Sequence, residues 1–378
     1  MTGLDGRRVY LDWNATAPLR PEARAAMLEA MDAVGNPSSV HAEGRAARAI
    51  VEKARAQVAS LVGGSVDELV FTSSATEAAQ TVLKQPFLFD TVKACVTEHD
   101  CVDTHIRRSI SAEVGANGLP LDGYRSPPMS GFVQLGLLFA FAAANNETGV
   151  CNPVVEIAAA AKEQNALYLC DAVQAAGKVG VQQVVKVADF ALFSGHKLGG
   201  PKGVGALRVR ADIQLEGLLH GGGQEKGLRA GTENVVGIAG FGAAAEAAQR
   251  DLEDGVWERV AALRNILEAR LEAVAPDLIF VGREAERLPN TTCIALPGWK
   301  GETQVMQLDL AGFAVSAGSA CSSGKVKESR VLRAMGFDAV TASSAIRVSL
   351  GPTTTEAEIT AFAEAWTTLY RKRTSRAA

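Results

Sequence analysis

The chain has 378 residues, of which 47% are hydrophobic and 21% charged, with a formal net charge of −4. That length exceeds one ordinary domain, and the acid surplus argues against a general nucleic-acid binder, which carries excess Lys and Arg. No apolar run reaches the ~20 residues of a membrane span, the opening MTGLDGRRVYLDWN lacks a secretory-type apolar region, and the expected location is cytoplasmic.

In chain order, Glu22–Met31 and Ala42–Leu61 read as alanine-rich helices with apolar residues at helical spacing, the second entered through the turn GNPSSVH. Next come DELVFTSSATEAAQTVLK, KACVTEHD, LLFAFAAANNETG, ALYLCDAVQAAG and ADFALFSGHK, apolar runs that each end in polar residues. The longest apolar stretch, 131–144, fits a strand buried on both faces. With interleaved helices such as Pro153–Gln164, the alternation predicts a largely parallel α/β sheet. A charged amphipathic helix over 243–273 breaks the pattern. Shorter strands follow in LIFVG, TTCIALP, FAVSAGS and SAIRVSL, then a helix over 356–370 and a solvated basic tail, RKRTSRAA. The expected organisation is a large domain over 15–250 and a smaller α+β domain from 1–14 and 251–378.

Ligands of open α/β sheets gather beyond the carboxyl ends of the strands, and the polar residues here cluster at those ends. FTSSATEA runs from a strand into a helix start, where backbone N–H groups and hydroxyls make an anion cradle, or Thr76 simply caps the helix. His99 ends another strand and NNETG the most apolar one. Asp171 in LCDAVQ closes a third, and a carboxylate at that depth needs a cationic or strongly donating partner. Lys197 in FSGHKLGGPKG is a long cation among glycines, and desolvation there makes an amine nucleophilic toward carbonyls. Anion cradle, stackable imidazole, buried acid and Schiff-base lysine together suit pyridoxal phosphate, with its phosphate, π face, ring nitrogen and aldehyde. The GxGxxG fingerprint of dinucleotide binders is absent after the first strand. The six cysteines (95, 101, 151, 170, 293 and 321) form no CxxC pair or Cys/His cluster, which weighs against structural zinc and a disulfide framework.

YLDWNATAP, GNPSSVHAEGR, TEHD, NNETGV, DAVQAAGK, SGHKLGGPKG, HGGGQEKGLRAGTENV and SAGSACSSG, in this order, resemble the cysteine desulfurases of the class V aminotransferase branch of fold-type I pyridoxal enzymes. The resemblance runs from Tyr10 to about Thr355. It implies a mostly parallel seven-stranded sheet between helices, and conversion of L-cysteine to L-alanine with a persulfide left on Cys321. Lys197 would carry the cofactor as a Schiff base and move the Cα proton, Asp171 would pair with the ring nitrogen, and His99 would stack on the ring and assist proton transfer. Gln174 and Asn146 would lie near the phenolic oxygen, Asn146 also near the substrate, and Ala75, Thr76, Ser194 and His196 would hold the phosphate. Arg347 would bind the substrate carboxylate. Thr232 would reach the neighbouring subunit's phosphate site, which implies a homodimer. The long insert from Cys321 to Arg347 resembles the group with the extended cysteine loop, whose sulfur goes to an acceptor protein such as an iron–sulfur scaffold.

The chain departs from the family pattern at Ser74, where a glycine is usual, in a shortened 118–132 segment, and at Pro352, where Arg is common. Two other expectations stay open: another pyridoxal lyase or aminotransferase of this branch, and a silent relative serving as a scaffold subunit.

Overall fold

The computed structural model describes residues 3, 4, 6–103, 109–121, 136–318 and 328–377. After β1 (Val9–Tyr10) come α1 (Pro21–Met31) and α2 (Ala42–Val62). Then follow β2 (Leu69–Thr72), α3 (Ala75–Leu83), β3 (Thr91–Cys95), α4 (Asp100–Asp103), β4 (Ser109–Ala112), β5 (Leu137–Ala142), α5 (Val154–Glu163), β6 (Leu167–Asp171), α6 (Gln182–Val187), β7 (Phe190–Ser194) and β8 (Gly205–Val209). The C-terminal part holds α7 (Val235–Glu253), α8 (Val256–Glu272), β9 (Ile279–Phe280), β10 (Thr291–Ala295), α9 (Gly301–Leu310), β11 (Phe313–Ala314), β12 (Ser316–Ala317), α10 (Arg330–Ala334), α11 (Ala339–Ala342), β13 (Ala345–Ser349) and α12 (Glu356–Ala377).

Among the described residues the large sheet has seven strands in the order β2-β8-β7-β6-β5-β3-β4. Strands β4, β3, β5, β6 and β7 run parallel, while β8 is antiparallel to both of its neighbours. The expected mostly parallel sheet is therefore present, with β2 pointing the same way as the parallel set. Its central strands β5, β6 and β7 are almost wholly apolar and buried because both faces are covered. Alternation along β5 sends Phe139 and Phe141 into one buried cluster, with Val58 of α2 and Phe241 of α7, and Leu138 and Ala140 into another, with Ala78 and Val82 of α3.

A further core joins Val9 and Leu11 to Trp257, Leu267, Ile294, Val348, Phe362 and Trp366. It lies against an antiparallel sheet of order β12-β13-β10-β9, and β1 pairs in parallel with β11. The N-terminal strand is thereby stitched to the C-terminal part, while Cys293, Met335 and Ala345 belong to the core of the large sheet.

Two expectations need correction. The helix expected over 243–273 is two helices, because Gly255 at φ 69° takes a left-handed conformation that reverses the chain after α7. The basic C-terminal stretch is not a tail, since α12 continues through it to Ala377. Tyr370 stacks on buried Trp366 at 5.4 Å and 6°, which carries the helix past its last buried turn.

Candidate active site

A cavity of about 270 Å³ opens beyond the carboxyl ends of β2, β3, β5, β6 and β7. Ser74, Ala75 and Thr76 reach it after β2, His99 after β3, Asn146 after β5, Asp171 and Gln174 at the end of β6, and Ser194, His196 and Lys197 at the end of β7. Asn14 and Ala15 close one side, and Arg347 enters from β13. Ten of the twelve site residues expected from the sequence thus meet in one cavity.

The cradle begins with Ser74, whose φ of −171° and ψ of 164° are extended backbone open to any residue. Serine in place of glycine therefore costs nothing there. Its Oγ accepts from the Glu77 N–H at 3.2 Å, while Glu77 Oε2 reaches back to accept from the N–H of Ser73, one residue before the cap, at 2.8 Å, a variant of the capping box. Ser74, not Thr76, is the helix cap. The first-turn N–H groups of Ala75 and Thr76 have no intrahelical acceptor and suit an anion. Gly205 lets this turn close on β8, since a Cβ there would sit 2.6 Å from the Ser74 carbonyl carbon.

Asp171 is buried, with Oδ1 accepting from the Val173 N–H at 2.9 Å, and it forms no ion pair among the described residues. Burial raises its pKa, opposed by that N–H and by the charges of His99 and Lys197. A protonated heterocyclic nitrogen would fit beside such an acid. His99 Nδ1 accepts from the Cys101 N–H at 3.2 Å, which puts the proton of the neutral ring on Nε2.

Lys197 follows β7 in a short 3₁₀ turn, and its Nζ donates to the carbonyls of Asn14 at 2.6 Å and Ala15 at 2.8 Å. His196 Nδ1 lies 3.2 Å from Thr16 Oγ1. Burial, then the charges of Lys197, Lys202 and Lys178, push the His196 pKa down to about 4, so the ring is neutral at pH 7. Gln174 is fixed at both ends of its amide: Nε2 donates to the Asn14 carbonyl at 3.0 Å and Oε1 accepts from Lys178 Nζ at 3.0 Å. Of the two asparagines in NNETG, Asn145 is consumed by the turn, its Oδ1 accepting from the N–H groups of Glu147 and Thr148 at 2.9 Å each. Both asparagines line the cavity, and Asn146 is the one whose side chain the turn does not consume.

Arg347 is 5% exposed, and its guanidinium donates to Asp12 Oδ1 at 2.7 Å and to the Asn146 carbonyl at 2.9 Å. Asp12 is the anion that a buried strand arginine requires. Asp12 is held in turn by Ser316 Oγ, which donates to Oδ2 at 2.8 Å. Arg347 Nε is buried without a hydrogen-bond partner among the described residues, and the side chain lines the cavity.

Two expected residues are not in this cavity. Thr232 lines a separate cleft of about 170 Å³ with Ser73, Arg229 and Glu233. Cys321, most of the shortened 118–132 segment and the first part of the insert after Cys321 lie outside the described residues. Pro352 contributes only its carbonyl, which accepts from Arg259.

Residues 9–362 match the family model for aminotransferase class-V. The chain belongs to that family, in its cysteine desulfurase group. It is 41% identical over 367 residues to a cysteine desulfurase of Cereibacter sphaeroides, covering 93% of each chain, and 36% identical over 363 residues to the cysteine desulfurase IscS of Dictyoglomus turgidum. That second alignment covers 93% of this chain and 92% of the relative. A solved NifS-like protein from Rickettsia africae superimposes with a TM-score of 0.88 at 32% identity, covering 97% of this chain and all of that one. The family's fold-type I architecture is the one described above.

Sequence reasoning missed Asp12, Asn14 and Lys178. The first two stand in YLDWNATAP and the third in DAVQAAGK, so the family motifs contained them. Their roles arise from carbonyls and charges that meet only across the fold.

Proposed function

We propose that this protein is a pyridoxal-phosphate-dependent cysteine desulfurase, converting L-cysteine to L-alanine and passing the sulfur through a persulfide on Cys321 to an acceptor protein. One observation carries the reading: Lys197, Asp171, the Ser74–Thr76 helix start and Arg347 converge on a single cavity of about 270 Å³. These donors fit the cofactor, since the unpaired acid answers a ring nitrogen, the helix start a phosphate and the amine an aldehyde.

When bound, the cofactor supplies an electron sink for the pair left by breaking the substrate Cα–H bond. Asp171 keeps a proton on the ring nitrogen. Neutral His196, with Ser194, Ala75 and Thr76, would hold the phosphate, and Gln174 and Asn146 would lie near the phenolic oxygen. Arg347 orients the substrate carboxylate. Lys197 takes the Cα proton, and His99 helps ionise the substrate thiol. The Cys321 thiolate attacks the substrate sulfur; an S–S bond forms and the Cβ–S bond breaks, its electron pair staying with the three-carbon fragment that is protonated to L-alanine.

Thr232 completes the phosphate site of a neighbouring subunit, which makes the working unit a homodimer. Its position in a cleft apart from its own chain's cavity supports this. The domain division at 15–250 against 1–14 plus 251–378 is supported by the buried cluster uniting Val9 and Leu11 with residues from Trp257 to Trp366. The reaction is placed in the cytoplasm, with an iron–sulfur scaffold or another sulfur carrier as acceptor.

Borohydride treatment of the purified protein is expected to fix a pyridoxyl group on Lys197, read by peptide mass spectrometry. L-cysteine should yield L-alanine and a persulfide on Cys321. A colourless protein with no adduct overturns the reading.

A further inference from the structure

Glu147 is a buried carboxylic acid that none of these steps uses. It sits in the NNETG turn after β5, where the Asn145 carboxamide fixes its backbone, and it is 4% exposed. Its Oε1 has no hydrogen-bond partner among the described residues. Burying a carboxyl with an orphaned oxygen costs stability, so what it touches matters.

It touches two points of the chain. A Cβ at Gly318 would lie 2.2 Å from Glu147 Oε1, 3.0 Å from its Cδ and 3.2 Å from Ser329 Cβ. Glycine at 318 is what lets the carboxyl in. Ser329 lies beside the same carboxyl and helps to lower its pKa, while its Oγ accepts from the Leu332 N–H at 3.0 Å as the cap of α10. In sequence, Gly318 and Ser329 flank the stretch containing Cys321. Both are anchored to the backbone around β13, the Gly318 N–H donating to the Ala345 carbonyl and the Ser329 N–H to the Ala342 carbonyl.

We propose that Glu147 is a positioning residue for sulfur transfer: its carboxyl packs against Gly318 and Ser329, the residues that flank the Cys321-bearing stretch in sequence, and sets them against the turn that presents Asn146 to the cavity. The inference rests on the cysteine desulfurase reading above. One turn then serves both sides of the reaction, because the Asn146 carbonyl also receives Arg347.

The clamp is sensitive to pH. Burial raises the Glu147 pKa to about 7, against the pull of the Ser329 hydroxyl, Arg347 of β13 and Arg330 of α10. Cys293 of β10 faces the same carboxyl. Below pH 7 the group is a neutral acid. Above it, the group is an anion attracted by the charges of the two arginines, and its packing against Gly318 and Ser329 carries a charge that it lacks at lower pH.

The test uses the holoenzyme and Glu147→Gln, which keeps the shape and removes the titration. Cys321 alkylation by iodoacetamide is followed by peptide mass spectrometry across pH 5.5–9, alongside single-turnover persulfide formation. The wild type is expected to show an inflection near pH 7 in addition to that of the thiol, and the variant to lose it. Gly318→Ala pushes on the clamp from the other side, and should slow persulfide formation on the order of tenfold to a hundredfold while leaving the borohydride adduct on Lys197 intact. Identical alkylation profiles for wild type and Glu147→Gln, or undiminished persulfide formation in Gly318→Ala, overturn the proposal. Absence of the adduct in the wild type would instead overturn the functional reading beneath it.

Discussion

Replacing Lys178 with methionine should change how stability depends on pH. Lys178 is buried, with Nζ donating to the Gln174 carbonyl at 2.8 Å and to its Oε1 at 3.0 Å. Burial first, then the charges of Lys197 and Arg347, push its pKa down to about 7 from 10.5 in the unfolded chain. Between those values the unfolded chain holds a proton that the folded chain lacks. Stability from this group is therefore fully present above pH 10.5, and is lost as pH falls toward 7. At about 1.36 kcal/mol per unit the whole effect is on the order of 5 kcal/mol, of which about 2 kcal/mol falls between pH 7 and 9. Lys178→Met removes that slope. It also leaves two Gln174 oxygens without their donor, at about 1–3 kcal/mol each, independent of pH. Urea unfolding of both proteins at pH 7, 8 and 9 and fixed ionic strength reads the difference directly, because the other titrating groups are common to both. The wild-type advantage should grow by about 2 kcal/mol across that range. A constant difference would refute the assignment of Lys178 as a lysine kept close to neutrality by its surroundings.

Arg347→Lys should raise KM for L-cysteine about tenfold or more while the cofactor absorbance stays unchanged, because an ammonium cannot hold Asp12, the Asn146 carbonyl and a carboxylate in one fork; an unaltered KM would exclude Arg347 as the carboxylate site. Arg55→Ala should cost about 3–5 kcal/mol in urea unfolding. Arg55 holds buried Glu225 through bonds of 2.7 and 2.8 Å, and Glu225 in turn accepts from the Phe71 N–H at 2.7 Å. That pair pins the left-handed residues Glu225 and Lys226, at φ 46° and 59°, on the segment leading to Thr232. The same variant should weaken cofactor retention, measured by dialysis, and a destabilised protein with unchanged retention would separate the pin from the phosphate site.

The site was legible where local sequence and tertiary position coincide. A buried strand in a parallel sheet is a continuous apolar run, so Leu137–Ala142 and Phe190–Ser194 announce their ends, and residues just past those ends must lie on one edge. Boundaries set by one backbone angle were less visible. Gly255 divides a region whose composition reads as helix throughout, and the stacking of Tyr370 on Trp366 carries the last helix through residues that read as a solvated tail.

The sequence by itself determined the mostly parallel α/β class, the order in which the catalytic residue types occur and, through its motifs, the family. Those are properties of periodicity and chain order. Tertiary structure alone decided which charges oppose one another. Asp12 meets Arg347 from the far end of the chain, Lys178 is driven toward neutrality by burial and two neighbouring cations, and Glu147 meets Gly318 and Ser329. Electrostatic energy depends on distance through space and on local burial, and neither is written in the spacing of residues along the chain.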